Sequence, residues 1–190
     1  DINENTKAAQ SYVSKMKILG VNVSSAAKLE KQIKKAKYLT YVVSCNIELR
    51  KAKEDAVFIK STQDESDVDD YFEDATTAID SCERKMALYR NVPHDEKKYN
   101  KVIIRAKNLK IKSLLSMTKA QIDWAADKYE DSIKVTGKRG NDSQLDTLES
   151  EGDDFLDNAQ YYLRITKKFS KNNEEANKLE KKIEDVKIIP

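Results

Sequence analysis

Seven apolar or small residues recur at alternating spacings of four and three along one uninterrupted stretch: Tyr38, Val42, Cys45, Leu49, Ala52, Ala56 and Ile59. Only an α-helix gathers such positions on one face, because its 3.6 residues per turn lie between the two spacings. A strand would instead change face at every residue. The same beat returns in Phe72, Ala75, Ile79, Cys82, Met86 and Tyr89. It returns again in Ile111, Leu115, Thr118, Ile122, Ala125 and Tyr129, and in Phe155, Ala159, Tyr162, Thr166 and Phe169. Four long helices, each with one apolar stripe, predict an all-α fold: an elongated, antiparallel up-down bundle with shorter helices at both termini. Four Gly and two Pro in 190 residues are too few turn-formers for a many-stranded sheet.

The chain also repeats itself, which says how the helices are grouped. KLEKQIKKAK, from Lys28 to Lys37, reappears as KYNKVIIRAK from Lys98 and as KLEKKIEDVK from Lys178. DYFEDA, from Asp70, reappears as DFLDNA from Asp154. Two helix types therefore alternate, giving a repeated helical hairpin within a single domain over 1–190. The repeat units fall at about 5–60, 67–134 and 152–188. Gly20 ends the first short helix, Ser24 or Ser25 is placed to cap the next, and Pro93 separates two long ones. The 135–151 stretch, with Gly137 and Gly140 and with Gly152 just after it, predicts a flexible loop.

The segment LGVNVSSAAKL from Leu19 to Leu29, followed by Ala36-Lys37 and Ala52-Lys53, resembles the coiled-coil-like helical-hairpin repeats of archaeal envelope and signalling proteins. The likeness covers mostly the first two helices. It implies a spacer or interaction scaffold and brings no catalytic residues with it.

Residue chemistry points the same way. His94 is the one histidine and sits beside Pro93, as a surface turn residue would. There is no Gly-x-Ser-x-Gly, no Cys-x-x-Cys and no phosphate-cradling loop. The acidic run from Asp64 to Asp70 lacks the central Gly and the twelfth-position Glu of a calcium loop, and carboxylates at a helix start are favoured by the dipole alone. No enzyme activity, cofactor, metal or small-molecule substrate is expected. Sequons at Asn22 and Asn141 fall in predicted turns.

Cys45 and Cys82 form the sharpest expectation. They are equidistant from the 61–66 turn and lie on the apolar stripes of their two helices. That places them opposite one another in an antiparallel hairpin. A disulfide between them would close a loop worth about 3–4 kcal/mol and would imply an oxidising, extracellular or envelope location. The alternative is two buried thiols in a cytoplasmic protein.

Charge is sorted along the chain although the net is only +2. Lys97 to Lys112 contains seven Lys or Arg and no acid, and Lys97, Lys101, Arg105 and Lys112 share one helix face. The Asp64–Asp74 and Asp142–Asp157 stretches are almost free of bases. The basic face reads either as a solvated surface or as a contact for an acidic glycan, lipid headgroup, membrane surface or nucleic acid. The reading as a whole is a non-catalytic extracytoplasmic scaffold or binding module with a macromolecular partner, in the first place a protein. An intracellular adaptor and an anion-binding module are the alternatives.

Overall fold

A computed structural model describes residues 2–20, 23–62, 64–90, 94–136 and 142–187. It is all-helical. Among the described residues there are six helices and no strand: α1 (Ile2–Ile18), α2 (Val23–Ser61), α3 (Glu65–Leu88), α4 (Glu96–Val135), α5 (Asp142–Phe169) and α6 (Glu174–Lys187). Asp64, Asp95 and Asn173 cap α3, α4 and α6, their side-chain oxygens accepting from the N–H of Asp67, Lys98 and Ala176 at 3.2, 3.2 and 3.0 Å. Gly20 closes the end of α1 at φ 65°, a conformation that Cβ-bearing residues resist. Ser24 and Ser25 do not cap α2 from outside, because the helix already begins at Val23. Pro93 and the sequon asparagines Asn22 and Asn141 lie outside the described residues.

The chain divides into two compact units: unit 1 is Asp1–Lys51 with Thr77–Ala106, and unit 2 is Ala52–Thr76 with Lys107–Pro190. In unit 1, Val13 of α1 buries against Ala26 and Ile33 of α2. The α2 and α3 segments run antiparallel, as shown by Tyr41 stacked on Tyr89 at 4.5 Å and by Cys45 beside Cys82. Lys85 pairs with Glu48 in the same interface and also donates to Ser44 Oγ at 3.3 Å. The first turns of α4 run parallel to α2, with Tyr38 near Asp95 and Asn46 near Arg105.

In unit 2, α4 is sandwiched. Leu115, Ile122 and Ala125 pack with Leu156, Ala159 and Leu163 of α5 and with Ala176, Leu179 and Ile183 of α6. Met117 packs on the other side with Ile59 of α2 and Val68 of α3. Every residue from Ser113 to Thr118 is consequently buried. A single stripe does not describe this helix.

A further sequence expectation changes at α5. The predicted 135–151 loop is mostly helix, because α5 starts at Asp142, ten residues before the expected 152. Its stripe runs through Gly152, Leu156, Ala159, Leu163 and Thr166, all buried, while Phe155 and Tyr162 flank it half-buried. Gly152 is thus a mid-helix contact. The Tyr129 ring of α4 lies over it, with Cζ, Cε1 and Cε2 only 3.0, 3.1 and 3.2 Å from where a Cβ would stand. The Tyr129 hydroxyl donates to Asp153 Oδ1 at 2.7 Å and pins the ring in place.

Candidate functional site

The cysteine pair also departs from the sequence expectation. Cys45 and Cys82 are both fully buried and adjacent, as the hairpin geometry requires, but they are thiols and not a disulfide. They are near each other without reaching bonding distance. Packed helices keep their axes about 8–10 Å apart, whereas bridged Cβ atoms need about 3.8 Å. The Cys45 thiol donates instead to the Cys82 carbonyl at 3.4 Å. Its contact with Cys45, and then burial, push the Cys82 thiol far up from its ordinary range. A protonated, buried thiol is a poor nucleophile.

The basic residues separate by unit. Lys97, Lys101 and Arg105 belong to unit 1, and Lys112 to unit 2. Lys97 and Lys101 are exposed on the first turns of α4. Arg105 is half-buried and donates to Asn46 Oδ1 of α2 at 3.3 Å. This contact fixes which flank of α2 adjoins the α4 basic face. Lys112 is half-buried in unit 2 and is left out of the site.

Beside this face lies an open groove of about 380 Å³ between α2 and the start of α4. Lys31, Lys35 and Lys98 stand on its walls, and Asp95 is its one acid. Asp95 is already engaged: it caps α4 and lies 3.7 Å from Lys98 Nζ. Tyr38 floors the groove at 1% exposure, its hydroxyl donating to the Asp95 carbonyl at 3.3 Å. Burial, assisted by the Asp95 charge, pushes that phenol up. His94 is not an idle turn residue. Its ring sits between Tyr38 and Tyr99, at 5.3 and 4.8 Å. Sequence reasoning missed this role because Tyr38 is far from His94 and Tyr99 in the chain and meets them only through the α2–α4 contact.

Two further properties mark the surface. Among the described residues Lys31, Lys35, Lys97 and Lys101 have no carboxylate within ion-pair range, whereas Lys17 and Lys34 are compensated by Glu30 at 2.7 and 3.8 Å. Leu39, Val43 and Ile47, spaced one turn apart along α2, are exposed by 42, 59 and 66%. Leu39 borders the groove, and Ile47 adjoins Asn46, the partner of Arg105. A short apolar ridge therefore runs beside unpaired lysines.

The division into units sharpens the charge sorting seen in the sequence. Unit 1 holds 17 Lys or Arg against 8 Asp or Glu, a formal +9. Unit 2 holds 18 against 25, a formal −7. The sequence-wide +2 conceals both values. Among the described residues no group of three or more His, Cys, Asp or Glu is placed to hold a metal ion, and no helix is long and apolar enough to cross a membrane. No protein-family model, no curated protein and no solved structure matches the chain.

Proposed function

We propose that the chain is a non-catalytic binding module whose unit 1 recognises an acidic protein surface, in the first instance an acidic amphipathic helix. The observation that carries this reading is the +9 charge of unit 1, displayed by lysines without carboxylate partners. Concentrated unpaired charge raises the local concentration and the association rate of an oppositely charged partner. The ridge of Leu39, Val43 and Ile47 favours a protein over a bare polyanion, since a helix with apolar residues at one-turn spacing and acidic flanks matches both features at once. The resemblance to hairpin repeats that act as scaffolds points in the same direction. The compartment is a separate matter governed by the cysteines. A Cys45–Cys82 bond in protein from its source would support the extracytoplasmic location, and two thiols would support an intracellular adaptor.

Fluorescence anisotropy with a labelled Glu-rich amphipathic helix tests the proposal. Affinity should fall at least about tenfold between low and physiological salt, where the Debye length shrinks to about 8 Å. Lys101→Glu with Arg105→Glu should abolish binding, and Val43→Glu with Ile47→Glu should weaken it while leaving the helical circular dichroism unchanged. Binding that survives both pairs of substitutions would refute the reading. Binding lost only on charge reversal, and equal for heparin, would favour the general anion-binding alternative.

A further inference from the structure

In unit 2 the end of α2 and the middle of α4 border a second open pocket, of about 490 Å³, a size suited to a small ligand. It shares nothing with the basic face of unit 1. Its wall is charge-balanced, with Lys60 and Lys119 matched by Asp123 and Asp127. Lys119 and Asp123 lie 3.5 Å apart and are both half-exposed, so that pair is weak and open to exchange. Among the described residues Lys60 and Asp127 have no ion-pair partner. Trp124 forms an aromatic wall and is braced from behind by Phe155, with ring centroids 5.5 Å apart. Ser116 also lines the pocket. It is 3% exposed, and its Oγ has no hydrogen-bond partner. An unsatisfied buried hydroxyl is unfavourable and calls for a partner group.

We propose that this pocket binds a neutral, hydroxyl-rich small ligand, a sugar residue. Equal numbers of opposite charges give no net attraction for a free anion or cation. A neutral polyol suits both signs, since its hydroxyls donate to Asp123 and Asp127 and accept from Lys60 and Lys119. The apolar C–H face of a pyranose ring fits against the indole. Ser116 and Thr62 add hydroxyls that can bond a matching group on the ligand, and a ligand lacking that group would leave Ser116 unpaired.

The molecule reports on this site directly, because Trp124 is its one tryptophan. Tryptophan emission should change saturably on titration with glucose, mannose, galactose or N-acetylglucosamine, at least one of them. Sodium acetate and ammonium chloride should produce no saturable change. Ser116→Ala and Asp127→Asn should each weaken the sugar response about tenfold. Asp127 is exposed, so its substitution keeps the test intact should the buried Ser116 variant misfold. No saturable change with any of the four sugars would overturn the proposal. So would an equal response to acetate or ammonium, or a sugar response unchanged in Asp127→Asn.

Discussion

Gly152→Ala isolates the packing of α4 on α5. In an open helix interior this substitution stabilises by about 1 kcal/mol, because Ala loses less backbone entropy than Gly. Here the new Cβ would meet three Tyr129 ring atoms at 3.0–3.2 Å, so the ring must retreat by a few tenths of an ångström. The ring is poorly able to do so. It packs against the Leu115–Leu156 core and is tethered through its hydroxyl to Asp153, the residue next to the substitution. Overpacking of this kind costs about 1–3 kcal/mol, and straining the tether adds to it. The expected net effect is a loss of about 1–2 kcal/mol. Removing the ring should reverse the sign: in a Tyr129→Ala background, Gly152→Ala should stabilise by about 1 kcal/mol. Urea unfolding followed by Trp124 emission reads unit 2 in all four members of the cycle. Equal stabilisation by Gly152→Ala in both backgrounds would refute the account of Gly152 as a contact glycine.

Three other outcomes follow from the cited contacts. Lys85→Met should cost about 1–3 kcal/mol in chemical denaturation, since it strands the Glu48 carboxylate in a partly buried interface where its Oε2 already lacks a partner; a neutral effect would show the pair to be solvated. Cys45 and Cys82 should resist a thiol reagent at neutral pH in the folded protein and both react in guanidinium without reductant, because both are fully buried and out of the reagent's reach; finding no thiols in guanidinium would restore the disulfide. Partial desolvation and neighbouring Asp70 raise the solvent-exposed Asp69 carboxyl, so the folded state holds this proton more tightly than the unfolded chain, and a small contribution to stability, reduced by solvent screening, is lost as pH rises through the folded value. Asp69→Asn should therefore raise the melting temperature at neutral pH and lose that advantage below about pH 4, the unfolded carboxylate range; an advantage that persisted at low pH would contradict the assignment.

The parts of the fold legible in the sequence are those fixed by local periodicity. The α2 and α3 stripes were readable because both segments present one face, and the symmetric placement of Cys45 and Cys82 about the turn set their register. The bond between the cysteines was not readable, because it depends on a few ångströms of helix separation that sequence position does not encode. Gly152 misled for a physical reason. A glycine marks a loop and a close helix contact alike, and Leu145 and Leu148, which continue the α5 stripe towards the N-terminus, were the signal that separates the two. The all-round burial of the middle of α4 was invisible because Ser113, Ser116, Thr118 and Gln121 are polar yet buried. In the candidate site, Lys97, Lys101 and Arg105 were legible as one helix face. The groove and the His94 stack were not, since they depend on α2 meeting the start of α4.

The central claim is that unit 1, with its +9 charge and exposed α2 ridge, is the recognition surface for an acidic helix. Amide NMR spectra of the labelled protein, titrated with an acidic amphipathic helical peptide, test it most directly. Shift changes confined to residues 31–47 of α2 and to 94–105, the cap and first turns of α4, are the predicted result. Changes centred in unit 2, or none at all at peptide concentrations that saturate the anisotropy signal, would contradict it.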